Sequence, residues 1–220
     1  MNPTATAAPD HIVVCDFDGT ITVEDVTDMI WEAHLPYSWR EVLLPASLAG
    51  RVTALEHIAH GYADVHQPPE RLLADVLPRV HLRPGFESFV ALCRARGWPL
   101  EVVSHGLAFY IEKLLPAGVA LTSFAGAFED GRWRVTLPPD VELLPGGDFK
   151  IHVVEGLRAR HPGRPIAYVG DGRLDFPAAR TCERICAVRD SPLATLCRRS
   201  ALPCFEFESF DQVSETLARC

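Results

Sequence analysis

The sequence predicts an α/β fold: a Rossmann-like parallel sheet core, with a small helical cap inserted after the first strand and a β-hairpin flap. Three observations carry this. Short β-branched runs alternate with longer amphipathic ones. Residues 22–80 keep helical periodicity with no credible strand among them. Residues 124–137 alternate around Asp130-Gly131, a strong two-residue hairpin signal.

The first apolar run, HIVVC at 11–15, is β-branched and ends in acid, as a buried strand would. Further strands are expected at 98–103 (WPLEVV), 166–169 (IAYV), 184–188 (RICAV) and 203–207 (PCFEF). Helical stretches lie at 84–96, 107–116, 150–161, 174–182, 191–199 and 209–218. Strands separated by helices imply βαβ units and a sheet covered on both faces. Prolines at 36, 45, 68, 69 and 78 mark breaks within the helical insertion. Trp31 and Trp39 are expected in its core. The domain reading is therefore a loose tail at 1–10, a core at 11–21 and 81–220, and a cap at 22–80, with 138–149 as loop.

Composition narrows the function classes. The 220 residues are 48% apolar, too many for a disordered chain, and carry a formal net charge of −8. That charge disfavours nucleic acid and anionic membrane as partners. No apolar run approaches the roughly 18 residues of a membrane span. Residues 1–10 lack the basic and apolar blocks of a secretory signal. The cysteines are odd in number and form no CxxC, which argues against a disulfide framework and leaves a reducing cytoplasm as the default location. Cys182 and Cys186 read as buried apolar residues rather than metal ligands, and His57 and His60 share a helix face without the acid a metal site needs. The residues fix no oligomeric state; a homodimer is the commonest closed assembly.

The acids carry the chemistry. The first strand runs into Asp16-Phe17-Asp18-Gly19-Thr20, and two carboxylates so close at a strand end repel unless something positive sits between them. The third strand ends in Gly170-Asp171-Gly172-Arg173-Leu174-Asp175, the second in Ser104-His105-Gly106, and Lys150 opens the helix before the third. Open α/β sheets bind ligands at this edge. A phosphate monoester brought to such acids calls for Mg²⁺, which prefers oxygen ligands. Lysine adds a compact positive charge, and serine with glycine N–H groups can cradle phosphoryl oxygens. A carboxylate can attack phosphorus to give an acyl phosphate.

Taken together, DFDGT at 16–20, Ser104, Lys150 and GDGxxD at 170–175 resemble the four motifs of the haloacid dehalogenase superfamily of phosphohydrolases. The insertion at 22–80 and the stretch AVRDSPLATLCRRSALPCFEFESFDQV resemble its phosphoserine phosphatase-like branch, close to the methionine-salvage enol phosphatase and the phosphoethanolamine/phosphocholine phosphatases. The resemblance implies a Mg²⁺-dependent phosphatase of a small phosphorylated metabolite. It implies Asp16 as nucleophile and Asp18 as the acid that protonates the leaving oxygen and then activates water. It implies Ser104, His105, Gly106 and Lys150 around the phosphoryl group, and Asp16, the Asp18 carbonyl and Asp171 on Mg²⁺. Asp175 is expected behind them, orienting Lys150 or a metal-bound water. In the cap, Asp25 and Asp28 share a helical face and resemble acids that meet amino or hydroxyl groups, and Arg51 resembles an arginine that meets a substrate carboxylate. His105 stands where those relatives commonly have glycine; its imidazole either contacts substrate or narrows the pocket. The same intermediate would serve a phosphotransferase or phosphomutase, and a non-catalytic phosphate-binding module is the remaining alternative.

Overall fold

The computed structural model describes residues 10–138, 141 and 149–219; the tail expected at 1–10, apart from Asp10, and most of the loop expected at 138–149 lie outside the described residues. The described strands are β1 (Ile12–Cys15), β2 (Leu100–Leu107), β3 (Ala120–Glu129), β4 (Arg132–Thr136), β5 (Ile166–Gly170), β6 (Arg184–Val188) and β7 (Phe205–Phe207). They form one sheet in the order β4-β3-β2-β1-β5-β6-β7. All neighbours are parallel except the β3–β4 pair. β1 lies at the centre, and every residue in it is buried. That burial on both faces explains its unbroken apolar run.

Register positions the site. Cys15 pairs with Val102 of β2 on one side and Val169 of β5 on the other. The residues that follow these three positions, Asp16, Ser104 and Asp171, therefore emerge at one edge of the sheet. β2 runs four residues beyond the expected stretch, through Ser104-His105-Gly106, with a register shift against β3 between Ser104 and Leu107. A bulge of this kind twists the strand and re-aims its side chains.

The hairpin turn at Asp130-Gly131 forms as expected, with φ of +52° and +76° at its two central residues. Its first strand is longer than the sequence suggested. β3 pairs parallel with β2 from Ala120 to Phe124 and turns into the antiparallel hairpin only from Ala125 onward. The flap is thus an outward continuation of the sheet. The segment AGVALTSF hides the strand because only Ser123 and Phe124 in its paired half are buried.

Residues 22–80 carry α1 (Val26–His34), α2 (Trp39–Val42), α3 (Leu44–Leu48), α4 (Ala54–Ala63) and α5 (Pro69–Val76), followed by a 3-10 turn at Leu77–Arg79. The prolines act as expected: Pro36 separates α1 from α2, Pro45 lies in the first turn of α3, and Pro68 and Pro69 open α5. Thr53 and Glu56 form a capping box on α4. Trp31, Trp39 and Tyr62 form a buried aromatic cluster, with Trp31 ring centroids 5.7 Å from Trp39 and 6.1 Å from Tyr62. Trp133 of β4 joins it, 5.5 Å from Tyr62, while its indole N–H donates to the Gln67 carbonyl at 3.0 Å. The hairpin therefore leans on the helical insertion. Two chain crossings connect the insertion to the sheet, held by the Thr22–Leu82 bridge and by Glu24, which accepts from the His81 backbone N–H at 3.0 Å.

The remaining helices are α6 (Phe86–Arg96), α7 (Ala108–Leu114), α8 (Phe149–Arg160), α9 (Phe176–Ala179), α10 (Pro192–Arg199) and α11 (Phe210–Arg219). The helix expected at 174–182 is a 3-10 turn at Arg173–Asp175 running into the four-residue α9. No described helix is long and apolar enough to cross a membrane.

Gly61 in α4 lies under Trp31; a Cβ there would stand 2.2 Å from the indole ring. Helix propensity alone favours alanine by about 1 kcal/mol, but overpacking of this kind typically costs about 1–3 kcal/mol. Gly61→Ala is expected to lower the urea unfolding midpoint; an unchanged or higher midpoint would show that the packing around Trp31 yields.

Candidate active site

Asp16 follows β1 directly, and its backbone N–H donates to the Val169 carbonyl at 2.8 Å. The chain then turns at Gly19, whose φ is +76°. A Cβ on Gly19 would stand 2.6 Å from Oδ2 of Asp171, so glycine is what lets these two loops touch. The buried Thr20 hydroxyl donates to Oδ1 of Asp171 at 2.8 Å and lies 3.3 Å from Oδ2 of Asp16. Arg83, beyond the insertion, donates to the carbonyls of Gly19 (2.6 Å) and Thr20 (2.7 Å) and so fixes the loop from behind.

Lys150 comes from the first turn of α8 and is 2% exposed. Its Nζ donates to Oδ1 of Asp16 at 2.6 Å and to Oδ1 of Asp175 at 2.7 Å. Asp175, also buried, is fully engaged. Its Oδ1 accepts from Lys150 and from the Tyr168 hydroxyl at 2.8 Å, and its Oδ2 accepts from the backbone N–H groups of Asp171 (3.1 Å) and Gly172 (2.8 Å). Carboxylate oxygens of Asp16, Asp171 and Asp175 all lie within 4.8 Å of one another. Burial pushes the Asp16 carboxyl well above its usual range, opposed by the neighbouring ammonium. Burial, then the charge of Asp175, takes Asp171 up to about 7.

Asp18 faces another way. Its Oδ1 accepts from the Val26 N–H at the start of α1 (3.0 Å), and its Oδ2 accepts from the Tyr110 hydroxyl (2.6 Å). The Ser104 hydroxyl is 3.4 Å from that same Oδ2 and accepts from the Gly106 N–H at 2.9 Å. Burial, followed by the nearby Asp25 charge, raises Asp18 to about 8. Two acids separated by a single residue thus have different neighbours: an ammonium for Asp16, a phenol and a helix N-terminus for Asp18.

The chain matches the haloacid dehalogenase-like hydrolase family over residues 13–180. It belongs to that family. It is 31% identical to the 2-hydroxy-3-keto-5-methylthiopentenyl-1-phosphate phosphatase of Geobacillus kaustophilus, covering 94% of this chain and 96% of that one. It is 24% identical to a polyol phosphate phosphatase of Saccharomyces cerevisiae, over 92% and 90% of the two chains. A solved phosphoserine phosphatase holding a phospho-aspartyl intermediate analogue superposes with a TM-score of 0.71 at 18% identity, over 94% and 99% of the chains, a likeness of fold. An enzyme of the phosphoric monoester hydrolase class fits the family and these relatives.

For this hydrolase a magnesium ion is implied, and the donor set suits it. The gathered groups are carboxylate oxygens, the hard ligands Mg²⁺ prefers. Of the three, Asp175 is the least open to a cation, because its four hydrogen bonds occupy both its oxygens.

The structure brings Asp16, Asp18, Ser104, Gly106, Lys150, Asp171 and Asp175 together, as the sequence motifs suggested. The other candidates are placed differently. Asp25 is exposed and caps α1, its side chain accepting from the Asp28 N–H at 2.9 Å. Asp28 is half-buried and raised to about 8 by burial and by Asp25; Arg40 lies 3.7 Å from it. Arg51 is exposed between α3 and α4. The half-buried His105 ring packs on Phe149 (5.1 Å) and Phe124 (5.4 Å). Sequence reasoning missed Arg83, Tyr110 and Tyr168. Thr20 was quoted within its motif but given no role. Tyr110 sits in AFYIEKL, where an aromatic residue looks like any other core residue.

With metal removed by EDTA, the raised carboxyls set a pH dependence. Asp18 and Asp28 at about 8 and Asp171 at about 7 all lie above the unfolded carboxyl range. Their stabilising contribution is full at low pH and is lost as pH rises toward 8. His11 and His57, lowered by burial, change charge below pH 6.5 and so outside the interval from 6.5 to 8.5. The urea midpoint in EDTA is expected to be lower at pH 8.5 than at pH 6.5; a rise over that interval would contradict the assigned environments.

Proposed function

We propose that this chain is a Mg²⁺-dependent phosphatase that hydrolyses a small phosphomonoester metabolite through an aspartyl phosphate on Asp16. The observation that carries the reading is the Lys150 ammonium bound between Asp16 and Asp175 at one edge of the sheet, with Asp171 clustered beside those carboxylates and Asp18 held apart. The names of the relatives, acting on an enol phosphate and on polyol phosphates, support a small phosphorylated metabolite. In this reading residues 22–80 are the cap over a core made of 11–21 and 81–220.

A carboxylate oxygen of Asp16 attacks phosphorus, the ester P–O bond breaks, and Asp18 gives its proton to the departing oxygen. Asp18 then takes a proton from a water that attacks the aspartyl phosphate, which frees inorganic phosphate and restores Asp16. Ser104, His105, Gly106 and Lys150 surround the phosphoryl oxygens. Asp16, the Asp18 carbonyl and Asp171 would hold Mg²⁺, whose positive charge would offset repulsion between carboxylate and ester. Burial that favours the protonated form of Asp18 suits its role as the acid. Asp175 and Thr20 hold Lys150 and Asp171 in place. Asp25, Asp28 and His105 are the residues we assign to the rest of the substrate, and Arg51 to a carboxylate if the substrate carries one.

The test is phosphate release from a panel of phosphorylated metabolites. Turnover is expected with Mg²⁺ and not in EDTA, and Asp16→Asn is expected to lose at least about a thousandfold in kcat. Full activity in Asp16→Asn would rule out the covalent route. Mg²⁺ at a hundred times its Kd is also expected to stabilise the wild type by about 2.7 kcal/mol, and Asp171→Asn much less.

A further inference from the structure

Asp18 must hold one orientation while its proton leaves and returns, and the hydrogen bonds that fix it are unequal. Ser104 lies at 3.4 Å and the Val26 N–H at 3.0 Å, whereas the Tyr110 hydroxyl is at 2.6 Å. Tyr110 is fully buried in the first turn of α7, directly after the strand that carries Ser104 and Gly106. Its ring is held between Phe109 (5.4 Å) and Phe17 (6.1 Å). On its far side the hydroxyl meets Thr27 Oγ1 at 3.0 Å, in the first turn of α1. Gly106 leaves the room for this contact: a Cβ there would stand 1.8 Å from the Tyr110 oxygen and 2.4 Å from Oδ2 of Asp18.

We infer that Tyr110 is the positioning residue for Asp18, and that the Asp18–Tyr110–Thr27 chain holds the acid aimed at the leaving oxygen. A phenol has one proton and also accepts. While it donates to Asp18, the Thr27 hydroxyl donates to it. The proton that Asp18 delivers lies on the lone pair facing the leaving oxygen, so Oδ2 goes on accepting from the phenol before and after that proton leaves. Asp18 therefore has a partner on Oδ2 in both protonation states, before and after it serves the leaving group. Because Thr27 belongs to the helical insertion and Val26 N–H holds the other oxygen, α1 fixes Asp18 at two points. The inference rests on the hydrolytic reading above, in which Asp18 protonates the leaving oxygen.

Two esters of similar size separate positioning from mere structural support. 4-Nitrophenyl phosphate expels a stabilised phenolate with little need of an acid, whereas benzyl phosphate needs its alkoxide protonated. Tyr110→Phe is expected to lower kcat/KM for benzyl phosphate about tenfold or more, and for 4-nitrophenyl phosphate less than about threefold, a fraction of what general acid catalysis supplies. KM for both esters and inhibition by inorganic phosphate stay near wild type. Thr27→Val, nearly isosteric, is expected to shift the two esters in the same direction by less. Equal losses on both esters, or no loss on benzyl phosphate, overturn the inference. If Tyr110→Phe does not fold, Thr27→Val decides by the same criterion. Asp16→Asn separates the two levels: if it abolishes wild-type turnover, the hydrolytic reading stands even where the Tyr110 pattern fails. A wild type that releases phosphate from neither ester nor any member of the metabolite panel overturns both.

Discussion

The ammonium of Lys150 sits in the interior between two carboxylates, and the rest of the site is arranged around that placement. Burying these charges separately would cost several kcal/mol each. Three short contacts and a set of backbone donors offset this: Asp16 and Asp175 bind Lys150, and Asp175 takes two further N–H groups and a phenol. Asp175 thereby holds the lysine and the 170–172 loop in place. Gly19 and the hydroxyl of Thr20 then close the loop after β1 onto Asp171, in the loop after β5.

The two acids of the first motif divide because the backbone turn between them points them into different surroundings. Asp16 remains over the sheet edge beside Lys150. Asp18 is carried toward α1 and α7, where a helix N-terminus and a phenol receive it. Environments that differ in this way separate a nucleophile from an acid on otherwise identical side chains. The helical insertion is therefore more than a cover: through Val26 and Thr27 it touches the acid, and through Tyr62 and Gln67 it rests on the hairpin.

Much of this was legible in the sequence, for physical reasons. Buried parallel strands read as unbroken apolar runs, so β1, β5 and β6 stood out, and acids just beyond them marked the working edge. Asp130-Gly131 announced its turn because few other pairs tolerate positive φ twice. β3 was half hidden because its burial runs from exposed Ala120 through half-buried Leu121 and Thr122 to buried Ser123 and Phe124, with no clean alternation. The short α9 was read as longer because the pattern continues past Ala179, while the 3-10 turn takes its first residues. Arg83 and Tyr110 could not be found from spacing: their roles depend on contacts 63 and 92 residues away in the chain. The acidic pair Asp25 and Asp28 was found as a pair, but the capping bond that binds them was not.

Lys150 holds the buried carboxylates in place, and equilibrium urea unfolding of Lys150→Met in EDTA measures by how much. Leaving Asp16 and Asp175 without their cation is predicted to cost about 3–5 kcal/mol. A loss below about 1 kcal/mol, the scale of an exposed ion pair, would contradict it.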